Sequence, residues 1–331
     1  MKIVYKKEIT EADKQAKDAK YISLDIIDVN FGRIGDLGLL PDRLILPEHR
    51  SRICQVFWSK PYKMAFQDAR WKISNQFELT LPLCALSLAM LKEMGQDVVM
   101  YTDTIGQGLL QGLGYDRIYN IFDNMQVPND FWACGKIMAL QNEPLDSLLM
   151  DTDIFLYDGK ILDKAYKLEV VGSHTEPTDL YVGLLKLGGM LFEHLRGDLS
   201  RSTNTGFLKV ANLHKKLKFI SAYWAGLKRL SDRQLLQKFK DEGKGAYCAD
   251  LLLEQFNFHK LCQPDPLIDL PQAQEEARGF VHLITFEKYL KVPLVLDILL
   301  ERYPKYYKRV IEKWNELGFS VQVEDKVYGL H

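Results

Sequence analysis

The chain has 331 residues, 47% hydrophobic and 26% charged, so it can bury a sizeable core without staples, and disorder, collagen and coiled coil are excluded. At about 150 residues per domain this length allows two domains, or one large α/β domain with appendages. Lys and Arg total 43 against 44 Asp and Glu, and a net charge of −1 supplies no global field for gripping a polyanion, which argues against a nucleic-acid partner.

Residues 1–20 are charged from Lys2 onward and lack the apolar core of a secretory signal, so a cytoplasmic chain is expected. The five cysteines (Cys54, Cys84, Cys134, Cys248, Cys262) lie at least 14 residues apart without a CxxC pair. Neither a disulfide framework nor a zinc knuckle is expected, and a reducing compartment fits. Residues 1–50 read as an extension: a polar helix-like run at 11–20, β-branched pieces at 22–29, then Gly32, Gly35 and Gly38 as turns.

From Ile53 the pattern alternates. A strand is predicted at 53–58, a buried helix at 81–94 closed by Gly95, a strand at 97–102 and a short helix at 106–113. A strand at 117–122, a helix at 132–141 and a strand at 147–150 follow. The apolar stretch 79–91 is 13 residues, short of the roughly 18 that span a bilayer. Strand and helix alternating at this spacing predict an α/β fold, a mostly parallel Rossmann-like central sheet with helices on both faces. Such sheets bind ligands beyond the carboxyl ends of their strands. Further on, a strand is predicted at 168–171, a loop at 172–178, helices at 213–230 and 249–261, and a strand at 279–284 after a loop holding Pro264, Pro266 and Pro271. The tail 293–317 reads as one amphipathic helix. The chain thus divides into an extension (1–50), an α/β domain (51–292) and a helical tail (293–331).

Asp151-Thr152-Asp153 follows the apolar strand 148–150. With 26 Asp in 331 residues about two such pairs arise by chance, so the pattern alone carries little and its context carries more. Apolar residues on both sides place the pair at the end of a buried strand, where an α/β sheet opens its crevice. Both carboxylates can then reach one hard cation, Mn²⁺ or Mg²⁺. The competing structural use is a strand-end Asp closing an Asx-turn.

Five ordered landmarks between residues 53 and 289 resemble the metal-dependent nucleotide-sugar glycosyltransferases of the GT-A fold, closest in pattern to glycosyltransferase family 8. Lys136, in Phe131-Trp-Ala-Cys-Gly-Lys136, is similar to a basic residue contacting the donor, and Asp151 with Asp153 is similar to the family's metal-binding pair. Ser202-Thr-Asn-Thr-Gly-Phe207 resembles Phe-Asn-x-Gly with Thr203 in place of Phe, which implies that Asn204 touches the donor sugar or the acceptor. Glu254-Gln255 resembles an Asp-Gln pair beside the transferred sugar. His282-Leu-Ile-Thr-Phe-Glu-Lys288 resembles His-x-x-Gly-x-x-Lys, implying His282 as third metal ligand and Lys288 on the diphosphate, with Thr285 where the family has a glycine that admits phosphate close to the backbone. The resemblance implies a UDP-linked donor, Mn²⁺ or Mg²⁺, retention of anomeric configuration, and a glycan, lipid-linked or other acceptor. Trp58, ending the first strand, is a candidate for stacking on the nucleobase, with core packing as its alternative.

Other readings compete. Gly106-x-Gly108-x-x-x-Gly112 with Asp123 superficially suits a dinucleotide fold, but Asp103 to Ile105 separate the strand from the first glycine. A phosphatase using the Asp pair is disfavoured by Phe155. A nucleotide- or carbohydrate-binding module without turnover shares every landmark. The tail from Glu301 to Trp314 carries five positive and two negative charges among aromatics, compatible with peripheral contact at an anionic inner membrane face or with a solvated helix capping the domain.

Overall fold

The computed structural model describes residues 3–7, 40–41, 43–62, 75–128, 131–177, 188–189, 191–196, 200–230, 249–267, 279–283, 287–323 and 326–328. The predicted pieces at 11–20 and 22–29, the glycines at 32, 35 and 38, Cys248, Pro271 and Thr285 lie outside these residues.

Strand β1 (Ile3–Lys7) precedes the alternating series β2 (Arg52–Phe57), α1 (Gln76–Glu93), β3 (Asp97–Thr102), α2 (Thr104–Leu110), β4 (Arg117–Asn120), α3 (Cys134–Asn142) and β5 (Leu148–Met150). These match the sequence pattern closely except that α1 starts five residues before the predicted 81. Its polar first turn hides the start: Gln76, Glu78 and Thr80 are all buried, and the Thr80 hydroxyl donates to the Gln76 carbonyl at 2.7 Å.

After β5 the chain forms β6 (Ile154–Leu156), α4 (Lys160–Lys167), β7 (Val170–Gly172), β8 (Thr175–Pro177), β9 (Arg201–Thr203), β10 (Phe207–Val210) and α5 (Leu213–Leu230). A π-type turn at Leu252–Phe256 leads into α6 (Asn257–Cys262), followed by β11 (Asp265–Pro266), β12 (Phe280–His282), α7 (Glu287–Leu290), α8 (Val292–Arg302), α9 (Pro304–Glu316), β13 (Phe319–Val323) and β14 (Lys326–Tyr328).

Seven strands form the central sheet in the order β11-β7-β10-β5-β2-β3-β4. β2, β3, β4 and β5 run parallel, while β10 is antiparallel to both of its neighbours, β5 and β7. Successive residues of a strand point to opposite faces. Ile53, Phe57, Val98, Met100 and Leu148 accordingly join the core under α1, whereas Cys54, Val99, Tyr101 and Leu149 join the core under α3 and α5. Both faces are covered, which is why these strands read as continuous apolar runs. Each fully buried Leu or Phe in them contributes roughly 1.5–3 kcal/mol.

The order also locates a switch point. From β2 the chain moves outward through α1 to β3 and β4, then returns through α3 to β5 on the other side of β2. Crevices open at the carboxyl ends of such a strand pair, and Asp151 is the residue after β5.

The tail differs from the single helix predicted for 293–317. It breaks at Tyr303 (φ −132°, ψ 55°) because Pro304 disfavours helical backbone at the residue before it and opens α9 at its first position. Trp314 of α9 is fully buried, and its indole N–H donates to the Glu78 carbonyl of α1 at 2.9 Å. That carbonyl is the one Pro82, four residues on, has no N–H to satisfy. Beyond α9, β13 pairs with β14 and antiparallel with β1, from Ile3↔Val323 to Lys7↔Phe319, so the two ends of the chain share one small sheet.

Candidate metal centre

The Asp151-Thr152-Asp153 segment is a turn. β5 ends in the sheet at Met150, and β6 leaves it to pair antiparallel with β12, setting His282 opposite Ile154. Three backbone bonds pin the turn: Asp151 N–H to the Gly206 carbonyl (2.9 Å), Ile154 N–H to the Asp151 carbonyl (3.3 Å) and Leu283 N–H to the Asp153 carbonyl (3.0 Å). A buried relay holds it from below, since Gln55 of β2 donates to the Ser87 hydroxyl (2.8 Å), which donates to the Ile154 carbonyl (2.7 Å). Gly206 closes the wall. A Cβ there would fall 2.7 Å from His282 Cε1, closer than carbon atoms tolerate, and 3.0 Å from Ile154 Cδ1.

The turn and β12 bring ligand atoms of Asp151, Asp153 and His282 within 4.8 Å of one another. His282 Nε2 lies 3.5 Å from Asp153 Oδ1 and 4.0 Å from Asp151 Oδ2. The second oxygen of each carboxylate belongs to a lysine: Lys136 Nζ is 2.9 Å from Asp151 Oδ1, and Lys288 Nζ is 2.8 Å from Asp153 Oδ2. Each aspartate therefore turns one oxygen toward the imidazole while a cation orients the other, as partners outside a metal's own ligands do. Two carboxylate oxygens and an imidazole nitrogen fit Mn²⁺ better than Ca²⁺. The other ring nitrogen, His282 Nδ1, is buried and finds no hydrogen-bond partner among the described residues.

Burial is the largest influence on all four charged groups. At Asp151 it prevails over Lys136 and raises the carboxyl above its ordinary range. At Asp153 burial pushes the same way, but Lys288 and His282 outweigh it and hold the carboxyl well below the usual carboxylate range. In the lysines burial favours the neutral form; Asp151 and Glu254 overcome this at Lys136, and Asp153 does so at Lys288, so both ammonium groups are raised and stay charged.

Lys136 links this centre to a second group of predicted residues. Its ammonium also meets Glu254 Oε1 (3.0 Å), the Thr205 carbonyl (3.1 Å) and the Thr205 hydroxyl (3.3 Å). The Thr205 hydroxyl donates to Glu254 Oε1 at 2.7 Å. Glu254 and Gln255 lie on the π-type turn, a distortion frequent at functional sites. Both are buried, and Gln255 Oε1 has no hydrogen-bond partner among the described residues. Asn204 accepts from the Gly206 N–H (2.9 Å) and donates to Glu176 Oε1 (3.0 Å). Trp58 is only 3% exposed and packs in the core under α3 and α5, with the Lys60 ammonium 5.9 Å from its ring centre.

Three residues near the centre, Glu176, His174 and Asp250, belong to none of the sequence landmarks. Glu176 of β8 accepts from Asn204, and His174 Nε2 lies 3.1 Å away. Burial is the largest effect on its carboxyl, and the bonds to His174 and Asn204 nevertheless hold it below its ordinary range. Asp250 is fully buried and accepts from the Ala133 N–H (2.9 Å) and the Tyr223 hydroxyl (2.7 Å), tying the start of Lys136's helix to the turn that carries Glu254. Two acids four apart in an apolar helix, Asp250 and Glu254, are the available signal. The alternative dinucleotide glycine Gly106 sits against Thr102, and Asp123 accepts from the Thr104 N–H (2.8 Å) and hydroxyl (2.6 Å) at the start of α2.

Residues 51–266 match the family model DUF6734, described as a family of unknown function. No curated protein matches the chain. Among solved structures, galactosyltransferase LgtC in complex with donor and acceptor sugar analogues is 12% identical over 62% of this chain and 71% of its own, with a TM-score of 0.32. Mouse xyloside xylosyltransferase 1 in its apo form is 9% identical over 64% of this chain and 82% of its own (TM-score 0.34). The glycosyltransferase GlyE of Streptococcus pneumoniae TIGR4 is 12% identical over 78% of this chain and 64% of its own (TM-score 0.31). Likeness at this level assigns no activity.

Proposed function

The chain belongs to the family DUF6734, and we propose that it is a metal-dependent glycosyltransferase of GT-A type, moving a sugar from a UDP-linked donor to an acceptor hydroxyl with retention. One observation carries this reading: Asp151, Asp153 and His282 converge at the switch point of a mostly parallel sheet, and each carboxylate keeps one oxygen free of its lysine. The sheet agrees with it, since one antiparallel strand, β10, lies between β5 and β7 and delivers the Asn204–Gly206 loop to the Asp turn.

Asp151, Asp153 and His282 would hold Mn²⁺ or Mg²⁺, which would supply Lewis acidity to the leaving diphosphate. Lys288 adds a buried point charge on the same side, suited to phosphate. Lys136 holds Asp151 and Glu254 together and so fixes the floor on which the sugar rests. Glu254 Oε1 already accepts from Thr205 and Lys136, which makes that oxygen a poor nucleophile. In the mechanism we favour, the leaving phosphate steers the incoming hydroxyl on the same face, and Gln255 orients the sugar. The acceptor is a glycan, a lipid-linked molecule or another hydroxyl compound. For a lipid-linked acceptor, exposed Lys305 and Lys308 of α9 offer charge to an inner membrane face. No described helix is long and apolar enough to cross a membrane.

Titration calorimetry of UDP with and without Mn²⁺, beside hydrolysis assays over UDP-, GDP- and CMP-sugars, tests the reading. Mn²⁺-dependent UDP binding is expected, and Asp153→Asn should abolish it while leaving the circular dichroism unchanged. Equal Mn²⁺-dependent affinity in that variant would sink the metal assignment. Binding without turnover across the donor panel and added acceptors would make the protein a binding module.

A further inference from the structure

The two lysines at the metal centre are held very differently. Lys136 has four acceptors: Asp151, Glu254 and both the carbonyl and the hydroxyl of Thr205. Lys288 has one hydrogen-bond acceptor among the described residues, Asp153 Oδ2, and its ammonium otherwise lies 5.3 Å from the centre of the Tyr289 ring. Lys288 is 8% exposed, so this single ion pair is shielded from water. Moving Lys136 would abandon four contacts, two of them ionic. Moving Lys288 abandons one, provided another anion replaces it.

The charges in contact make the consequence definite. Asp151, Asp153 and Glu254 carry three negative charges, and Lys136 and Lys288 neutralise two of them. A dication entering this pocket meets a net charge of only about −1 from these five groups, with an ammonium already bound to each carboxylate ligand, that of Lys288 held by Asp153 alone. A diphosphate arriving with it brings at least two negative charges and an acceptor for that ammonium.

We propose that Lys288 is a resident counter-ion that makes divalent-metal binding conditional on the diphosphate: it occupies Asp153 when the pocket is empty and transfers to the phosphate when donor binds. The proposal rests on the donor reading above and goes beyond it, because it assigns Lys288 a cost to metal binding as well as a contact with the donor. Lys136, bound to Asp151 and Glu254 throughout, stays in place. The arrangement prevents the pocket from filling with metal alone and couples the two ligands reciprocally.

Mn²⁺ binding to the full-length protein, followed by calorimetry and by electron paramagnetic resonance of the free ion, with and without saturating UDP, provides the test. In the wild type UDP should tighten Mn²⁺ binding by on the order of tenfold or more. Lys288→Gln removes the charge while leaving a donor for the buried carboxylate. It should bind Mn²⁺ alone about tenfold more tightly than wild type and lose most of the UDP enhancement. Lys288→Met should do the same, and Lys288→Arg, which keeps the charge, should retain weak binding of Mn²⁺ alone. A purely structural lysine would give weaker metal binding on removal, the opposite sign. Neutral variants that bind Mn²⁺ alone no more tightly than wild type overturn this inference and leave the donor reading intact. If Mn²⁺ fails to bind the wild type with or without UDP, both fall.

Discussion

The meeting of Trp314 with the carbonyl that Pro82 cannot serve predicts a specific non-additivity. In α1 the Glu78 carbonyl would ordinarily receive the N–H of residue 82, but that residue is proline, and the indole of Trp314 donates instead at 2.9 Å. Trp314→Phe removes this donor to a buried carbonyl, the loss of one hydrogen bond worth about 1 kcal/mol net. The smaller ring, in edge contact with Phe319 at 4.9 Å, should cost about 1 kcal/mol more in packing. In a Pro82→Ala background the alanine N–H completes the helical bond, so the first cost vanishes and only the packing loss remains. A double-mutant cycle by urea unfolding, with unchanged m-values, should therefore yield a coupling of about 1 kcal/mol. Additive costs within about 0.5 kcal/mol would refute the claim that Trp314 stands in for the missing helix donor.

Two further predictions concern the centre itself. The folded pKa of Asp151 is raised, chiefly by burial, so this group favours folding below its unfolded pKa and loses that contribution as pH rises through the folded value. At neutral pH Asp151 is thus a liability, and Asp151→Asn should melt higher than wild type at pH 7 while losing Mn²⁺-dependent UDP binding; a lower melting temperature would contradict it. Asp153 has the opposite sign: its depressed pKa contributes stability that is present above about pH 4 and lost as pH falls below it, so Asp153→Asn should flatten the acid limb of the stability curve. For catalysis, Glu254→Gln should keep measurable turnover and the product should retain the donor's anomeric configuration by proton NMR. A trapped glycosyl–Glu254 adduct would overturn the phosphate-steered mechanism, and an inverted product the family 8 resemblance.

The parts of this protein that local chemistry dictates are legible in the amino-acid sequence. Mostly apolar runs of six or fewer residues mark β2, β3 and β5, because a strand buried on both faces draws apolar residues to nearly every position, with Gln55 as the buried polar exception in β2. The same logic places Asp151 and Asp153 at the end of β5. Resemblance to a family, rather than any local pattern, is what singles out His282 and Lys288. Other features depend on pairings that no window of sequence contains. His282 reaches the Asp turn because β6 leaves the sheet for β12, and Lys288 meets Asp153 across 135 residues of chain. Burial pushes both carboxyls up, and the charges packed against each decide why two carboxyls one residue apart shift in opposite directions: Lys288 and His282 outweigh burial at Asp153, whereas Lys136 does not at Asp151. The tail shows the same division. Its amphipathic period and Pro304 are written in the sequence, but the burial of Trp314 and its bond to the Glu78 carbonyl, 236 residues earlier, exist only because the packed helices bring the two within 2.9 Å.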